Sequence, residues 1–147
     1  MSMPIDASAK GRSLPPVAMT VEAGRLAFFA KAIGQGDPRS CPPDGRLPVP
    51  PTFLFGIELE QPDPFAWLAG IGVDLRHVLH GEQSFTYHSM AYAGDTLVAS
   101  PRIADIYAKK GGALQFVVKH TAVARDDGTP VADLESVLVV RDPEAAR

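Results

Sequence analysis

Two histidines stand eight residues apart in one β-type run, Leu79-His80-Gly81-Glu82-Gln83-Ser84-Phe85-Thr86-Tyr87-His88. Side chains alternate between faces along a strand, so an even spacing puts His80 and His88 on one side. Glu82, two residues after His80, falls on that side too. An imidazole beside a carboxylate is a unit that moves protons near neutral pH. The plainer reading is a pair of hydrogen-bonded strand histidines at a sheet surface or an oligomer interface. Other reactive side chains are sparse. The lone Cys41 excludes an internal disulfide, and no basic neighbour is identifiable to activate it as a nucleophile. No zinc-type ligand spacing is present, so no metal is expected. Asp95 in Ala93-Gly94-Asp95 reads as a turn residue bonded to its own backbone. Lys109-Lys110, before Gly111, reads as a solvated turn, with a phosphate contact as the sharper alternative.

The elements that must position these residues follow from pattern. Thr20 is a plausible N-cap, with Glu22 in the first turn. Val21, Arg25, Phe28, Phe29, Ala32 and Ile33 then recur at helical spacing. Gly34 ends that helix. Fourteen prolines crowd the chain, six of them within positions 38–51, which reads as a stiff surface loop because proline lacks the N–H and fixes φ. Phe53-Leu54-Phe55-Gly56-Ile57-Glu58-Leu59 is apolar almost all round and reads as a buried helix, with a buried strand as the competing assignment. Asp63-Pro64 would start a short helix through Phe65, Trp67 and Leu68, closed by Gly70.

The second half is β. Strands are expected over 77–89, 96–109, 113–125 and 131–141, with Pro101 marking an edge or a bulge. Lys110-Gly111-Gly112 and Asp126-Asp127-Gly128-Thr129 are the turns. In the third of these strands Gln115, Val117, Lys119 and Thr121 share a face. Helices first and an antiparallel meander after give an α+β fold, a curved sheet wrapped around the apolar 52–59 helix. One domain over 1–147 is expected, with 1–17 a loosely ordered arm.

Composition removes several function classes. Net charge is −3 and the basic residues are scattered, so no nucleic-acid surface is expected. No run nears the ~18 apolar residues of a membrane span. Met1 to Pro16 carries Asp6, Lys10 and Arg12 with no long apolar stretch, so no signal peptide is expected, and the expected location is cytoplasmic.

Three stretches carry a family likeness: His80-Gly81-Glu82-Gln83, Tyr87-His88 and Ala93-Gly94-Asp95-Thr96-Leu97. With the helix ending at Gly34 and with Pro50-Pro51-Thr52-Phe53-Leu54, they resemble the MaoC-like hydratases and dehydratases. The variant is the FAS1-like, or MaoC N-terminal, dehydratase domain, a hot-dog fold. The resemblance spans about Thr20 to Arg141. It implies an acyl thioester of CoA or acyl-carrier protein as ligand and no further cofactor.

The hydratase members of that family carry Gly-Asp-x-Asn-Pro-x-His after the first helix. The Asp and His hold a water between them as base and acid. N–H groups at the start of the central helix face the thioester oxygen, where negative charge develops. Laid on Gly34-Gln35-Gly36-Asp37-Pro38-Arg39-Ser40, the motif puts Gln35 at the Asp position and Ser40 at the His position. Anchoring on Gly36-Asp37 instead makes Asp37 the acid, and the downstream Pro and His then fail to match. Either way the dyad is incomplete, with His80 and Glu82 as remaining candidates. Pro51 stands at the glycine of the helix start, leaving the N–H groups of Thr52 and Phe53 for the oxyanion. Thr52, Phe53, Phe55 and Trp67 are the expected substrate-binding residues.

The implied reading is a substrate-binding or structural subunit, in a homodimer or a heterodimer with a catalytic hot-dog partner. If active, it would be a hydro-lyase, a 3-hydroxyacyl-CoA/ACP dehydratase or enoyl-CoA hydratase. The alternatives are a binder of acyl or aromatic ligands without turnover, and a thioesterase of the same fold using Glu58.

Overall fold

The computed structural model describes residues 4–35 and 46–144. Its elements are β1 (Val17–Thr20), α1 (Ala23–Ala32), a 3-10 helix over Phe53–Glu60 that we call the central helix, α2 (Ala66–Gly70), β2 (Val78–Tyr87), β3 (Thr96–Lys109), β4 (Leu114–Arg125) and β5 (Pro130–Arg141). Among the described residues the strands form one antiparallel sheet in the order β1-β3-β4-β5-β2. The fold is α+β, as the pattern of helices then strands required.

The sheet buries one face under the helices. Phe53, Leu54 and Ile57 of the central helix pack on Leu97, Ala99, Val123 and Leu134, with Leu26 of α1 beside them. Each Phe, Leu, Ile or Val among them contributes roughly 1.5–3 kcal/mol by leaving water. A second apolar body lies further along the sheet, built from Ile5, Ala9, Leu68, Ile71, Ile103, Val117 and Val140. The central helix is apolar but not enclosed all round: Phe55 and Leu59 remain 40% and 45% exposed, along one flank. It runs antiparallel to α1. Phe29 meets Phe53 edge-on at 5.4 Å, and Arg25 pairs with Glu60 at the opposite end.

Three expectations for the first third are corrected. From residue 4 on, the segment before Val17 is not a loose arm. Ile5 and Ala9 are buried, the Asp6 carboxylate caps a single 3-10 turn at Ala7–Ala9, and Ser13 bridges to Arg102 of β3. Its few apolar residues are spaced too irregularly to advertise an element. Thr20 is not an N-cap but the last residue of β1, paired with Thr96, and Glu22 takes the cap position without a side-chain bond. The buried face of α1 is Leu26 and Ala30 with Phe29 beside them, while Phe28 and Ile33 are 75% and 52% exposed.

The prolines fall where strands can tolerate them. Pro101 lies just beyond the last β1 pairing, Val17 with Ala99, so its missing N–H removes no ladder bond on that side. A register shift between Ile103 and Asp105 follows. Of the proline-rich stretch, Pro48 forms a bridge with Tyr92 and Val49 is buried, so this end is tucked in rather than draped. In α2, Gly70 is the last helical residue, and the Asp63 carboxylate accepts the Phe65 N–H at 3.4 Å.

A second register shift matters most for function. Between His80 and Glu82 the β2–β5 pairing slips by one, with Gly81 as the extra residue. A Cβ on Gly81 would sit 2.9 Å from Val139 Cγ2 and 3.1 Å from the Val137 carbonyl, so the bulge needs glycine for close approach. One extra residue reverses the alternation of everything after it.

Candidate functional site

The C-terminus of α1 sets the first candidate position. Gly34 takes φ +74°, the Gln35 N–H donates to the Ala30 carbonyl at 2.9 Å, and the Gly34 N–H donates to Lys31. This is the paired-bond ending that a left-handed glycine permits. It leaves Gln35 exposed, on the side of the molecule where the central helix begins. Asp37, Ser40 and Cys41 lie outside the described residues.

The start of the central helix offers fewer donors than expected. The Phe53 N–H is already donated to the Pro50 carbonyl at 3.0 Å, because the Pro50-Pro51 turn folds back on it. Thr52 is exposed, and its side chain makes no capping bond. Phe53 is buried against Phe29 and belongs to the core. Tyr87 anchors the turn by donating its hydroxyl to the Pro51 carbonyl, and burial pushes its phenol up to about 12.

The other two expected contact residues, Phe55 and Trp67, share one cleft. They line a cleft of about 270 Å3 on the far flank of the central helix, with Phe65, His80 and Leu138 among the walls. The cleft opens beside β2, the edge strand. His80 stacks on Phe55 with ring centres 5.5 Å apart, and its Nε2 lies 3.2 Å from Gln83 Oε1.

Glu82 does not share that side. The Gly81 bulge pairs Glu82 with Val137 and Gln83 with Ser136, so Gln83 joins His80 on the helix-facing side and Glu82 points to the other. His88 is reversed as well. Its Nε2 lies 2.7 Å from Asp133, and His120 lies 3.4 Å from the same carboxylate. Asp133 alternates with Ala132 and Leu134, which are buried toward the central helix, so this His–Asp–His group occupies the opposite face of the sheet. It cannot reach a ligand held under the helix.

The groups that enter the cleft are others. Glu58 accepts from Lys119 Nζ at 2.9 Å through Oε1 and from Thr121 Oγ1 at 2.9 Å through Oε2. The Glu58 and Lys119 side chains are 13% and 14% exposed. Lys119 also sits 5.3 Å above the Trp67 ring, a cation–π distance. Its cross-strand neighbour Ser136 donates to Gln83 Oε1 at 2.6 Å. Gln83, Ser136, Lys119 and Glu58, with Thr121 beside them, thus make a polar row across the helix-covered sheet face. Lys119 was legible as a residue in phase with Val117 and Thr121, but a lysine in that phase reads as surface until Glu58 is seen above it.

Likeness to known proteins gives this arrangement a family. Residues 8–134 match the family described as "FAS1-like, dehydratase domain region". The chain belongs to that family of MaoC-like dehydratases. It is 31% identical over 154 residues to a UPF0336 protein of Saccharopolyspora erythraea, covering 97% of each chain. Among solved structures it resembles the C-terminally truncated HadBC (3R-hydroxyacyl-ACP dehydratase) complex of Mycobacterium tuberculosis, at TM-score 0.74 and 20% identity, over 92% of this chain and 99% of that one. It also resembles the ChsH1-ChsH2 complex of the same organism, at TM-score 0.71 and 17% identity, over 93% and 87%. These structures share the hot-dog fold of the FAS1-like dehydratase family. Among the described residues no helix is long and apolar enough to cross a membrane.

Proposed function

We propose that this FAS1-like dehydratase domain is an acyl-thioester-binding subunit that holds its ligand while a second hot-dog chain supplies acid and base. The observation that carries the proposal is Gln35. With the family's Gly-Asp-x-Asn-Pro-x-His motif anchored on Gly34, the residue at its Asp position is Gln35, and an amide neither takes a proton from water nor returns one near neutral pH. The HadBC and ChsH1-ChsH2 structures are complexes of two chains, which supports a paired state here, as a homodimer or with a catalytic partner. The ligand on this reading is a CoA or acyl-carrier-protein thioester, with no additional cofactor, and the setting is the cytoplasm.

The chemistry supported is the addition or loss of water next to a thioester. Water adds across C2–C3 of the enoyl chain, the hydroxyl going to C3 and the proton to C2. Purified chain should hydrate crotonyl-CoA about 10²-fold or more slowly than the chain mixed with a dyad-bearing partner, the usual cost of a missing acid or base. Robust hydration by the chain alone would overturn the reading. A second reading, binding of acyl or aromatic ligands without turnover, is favoured by the aromatic walls at Phe55, Phe65 and Trp67. Saturable ligand binding, with hydration absent beside every partner tried, would select it. Thioesterase action by Glu58 is disfavoured, because both of its oxygens already accept hydrogen bonds.

A further inference from the structure

The face of the sheet turned away from the central helix carries an ordered pattern of its own. Val117, Leu138 and Val140 belong to the helix-covered side, so their strand neighbours Phe116, Val118, Val137, Val139 and Arg141 point the other way. Strand pairing sorts this outer face into rows. One row is Tyr107, Phe116, Val139 and Leu79, a residue each from β3, β4, β5 and β2. Its two ends stay open to solvent, with Tyr107 37% and Leu79 52% exposed, and the Tyr107 and Phe116 rings stack at 4.8 Å. The row on its Lys110–Gly112 side is cationic. Lys109, Leu114 and Arg141 stand in register there, and Arg76 and His77 gather with Arg141 and Leu79 at the β2 end. The row on the opposite side is Asp105, Val118, Val137 and Glu82, with its carboxylates at the two flanks.

Such a face is complementary to itself. Stack two copies through it, with a two-fold axis lying along the apolar row. That row then meets its own copy, and each strand meets the same strand run backwards. The flanking rows exchange. Lys109 faces Asp105 of the second copy, Leu114 faces Val118, Arg141 faces Val137, and Arg76 with His77 faces Glu82. Opposite charges meet at both flanks, twice each by symmetry, around an apolar middle. An axis along the strands would instead set the cationic row on itself, which like-charge repulsion opposes. Asp105 and Arg76 already hold Lys10 and Asp74, but those pairs are exposed and cost little to share. Stacked sheets cross at about 30°, which splays the corners and keeps contact to the rows nearest the axis.

We propose that the outer face of the sheet is a self-association surface whose occupant is a second copy of this chain, in the two-fold arrangement just described. The proposal does not depend on the acyl-binding reading. The surface is distinct from the β2 edge, and it leaves the cleft beside the central helix uncovered, because the cleft lies on the other side of the sheet. Chains already paired elsewhere would be joined through it into an assembly of twice the mass.

The test is light scattering on the full chain from dilute to concentrated solution. The assembly present in dilute solution should double in mass as concentration rises. K109D and D105K should each raise the dissociation constant of that doubling step about tenfold or more, because either reversal sets like charges face to face at two symmetric places. The double variant K109D/D105K should return the constant toward the wild-type value. Residues 105 and 109 lie on one strand about 13 Å apart, so they do not touch within a chain and only a second copy can restore the match. In the wild type, acetylation of Lys109 should slow in concentrated solution relative to that of the exposed Lys31 on α1, a readout that stands even where a variant does not fold. A mass independent of concentration would overturn the proposal. So would doubling that ignores both single variants, a double variant no better than the singles, or Lys109 acetylation that concentration leaves unchanged.

Discussion

Glu58 and Lys119 illustrate how a largely covered ion pair costs more to break than it contributes when whole. Replacing one partner leaves a charge without its match at 13–14% exposure, whereas replacing both leaves ordinary apolar volume. Lys119→Met alone should therefore cost about 3 kcal/mol in urea unfolding. The double variant E58M/K119M should cost less than the single change, and additive costs would refute the coupling. Tyr87 gives a prediction in pH. Its folded pKa is raised from 10.0 to about 12 by burial, so the folded state keeps a proton that the unfolded state loses. Its contribution is complete below pH 10 and fades as pH rises toward 12. Alkaline denaturation followed by circular dichroism should show this loss in the wild type and less of it in Tyr87→Phe. Equal pH profiles would argue against it. Sequence alone showed that Gln35 is an amide and that Lys119 is in phase with Val117. It could not show which carboxylate sat above Lys119, because that contact joins residues 61 apart.

Among the elements, strands were the easiest to read and their faces the hardest. β3 runs over Thr96–Lys109, the range that alternation and turns predicted, and the other long strands differ from expectation by a residue or two. Long strands between glycine turns carry their own punctuation. The four residues of β1 carry none, and the central helix looked fully buried because its apolar residues outnumber the face available to bury them. The assignment of His80, Glu82 and His88 to one face failed at Gly81, where the bulge breaks the parity that alternation assumes. A glycine inside a strand pattern was the available signal. Gly81→Ala should destabilise the protein by about 1–3 kcal/mol in thermal unfolding, since the added methyl meets a backbone carbonyl as well as a side chain. A change under ~0.3 kcal/mol would show that the bulge relaxes.

At the scale of the whole molecule, β2 stands at one edge of the sheet, ten residues long, with no strand paired to its outer side among the described residues. Lysine and proline, which commonly blunt such edges, are absent from it. A second chain, like or unlike, is the natural cover on the reading proposed above. Light scattering should give the mass of two chains, with β2 amides better protected from exchange at high protein concentration than at low. A monomer at all concentrations, and beside any hot-dog partner, would remove the paired state. The family and the fold were legible from scattered short stretches, because turn chemistry and helix ends are local. The cleft was not, because it assembles residues from the central helix, the segment around α2 and the strands β2, β4 and β5.

The polar row has a last consequence, for how the protein comes apart. An interior crossed by charge is two oil drops that touch rather than one that fills the molecule. One drop holds α1 and the start of the central helix. The other holds the first dozen described residues and α2. Each can melt without tearing its neighbour, so slow amide exchange should sort into two cooperative groups, with Ile5–Ala9 and α2 opening together. A single exchange class throughout would mean that the seam welds the halves instead of dividing them.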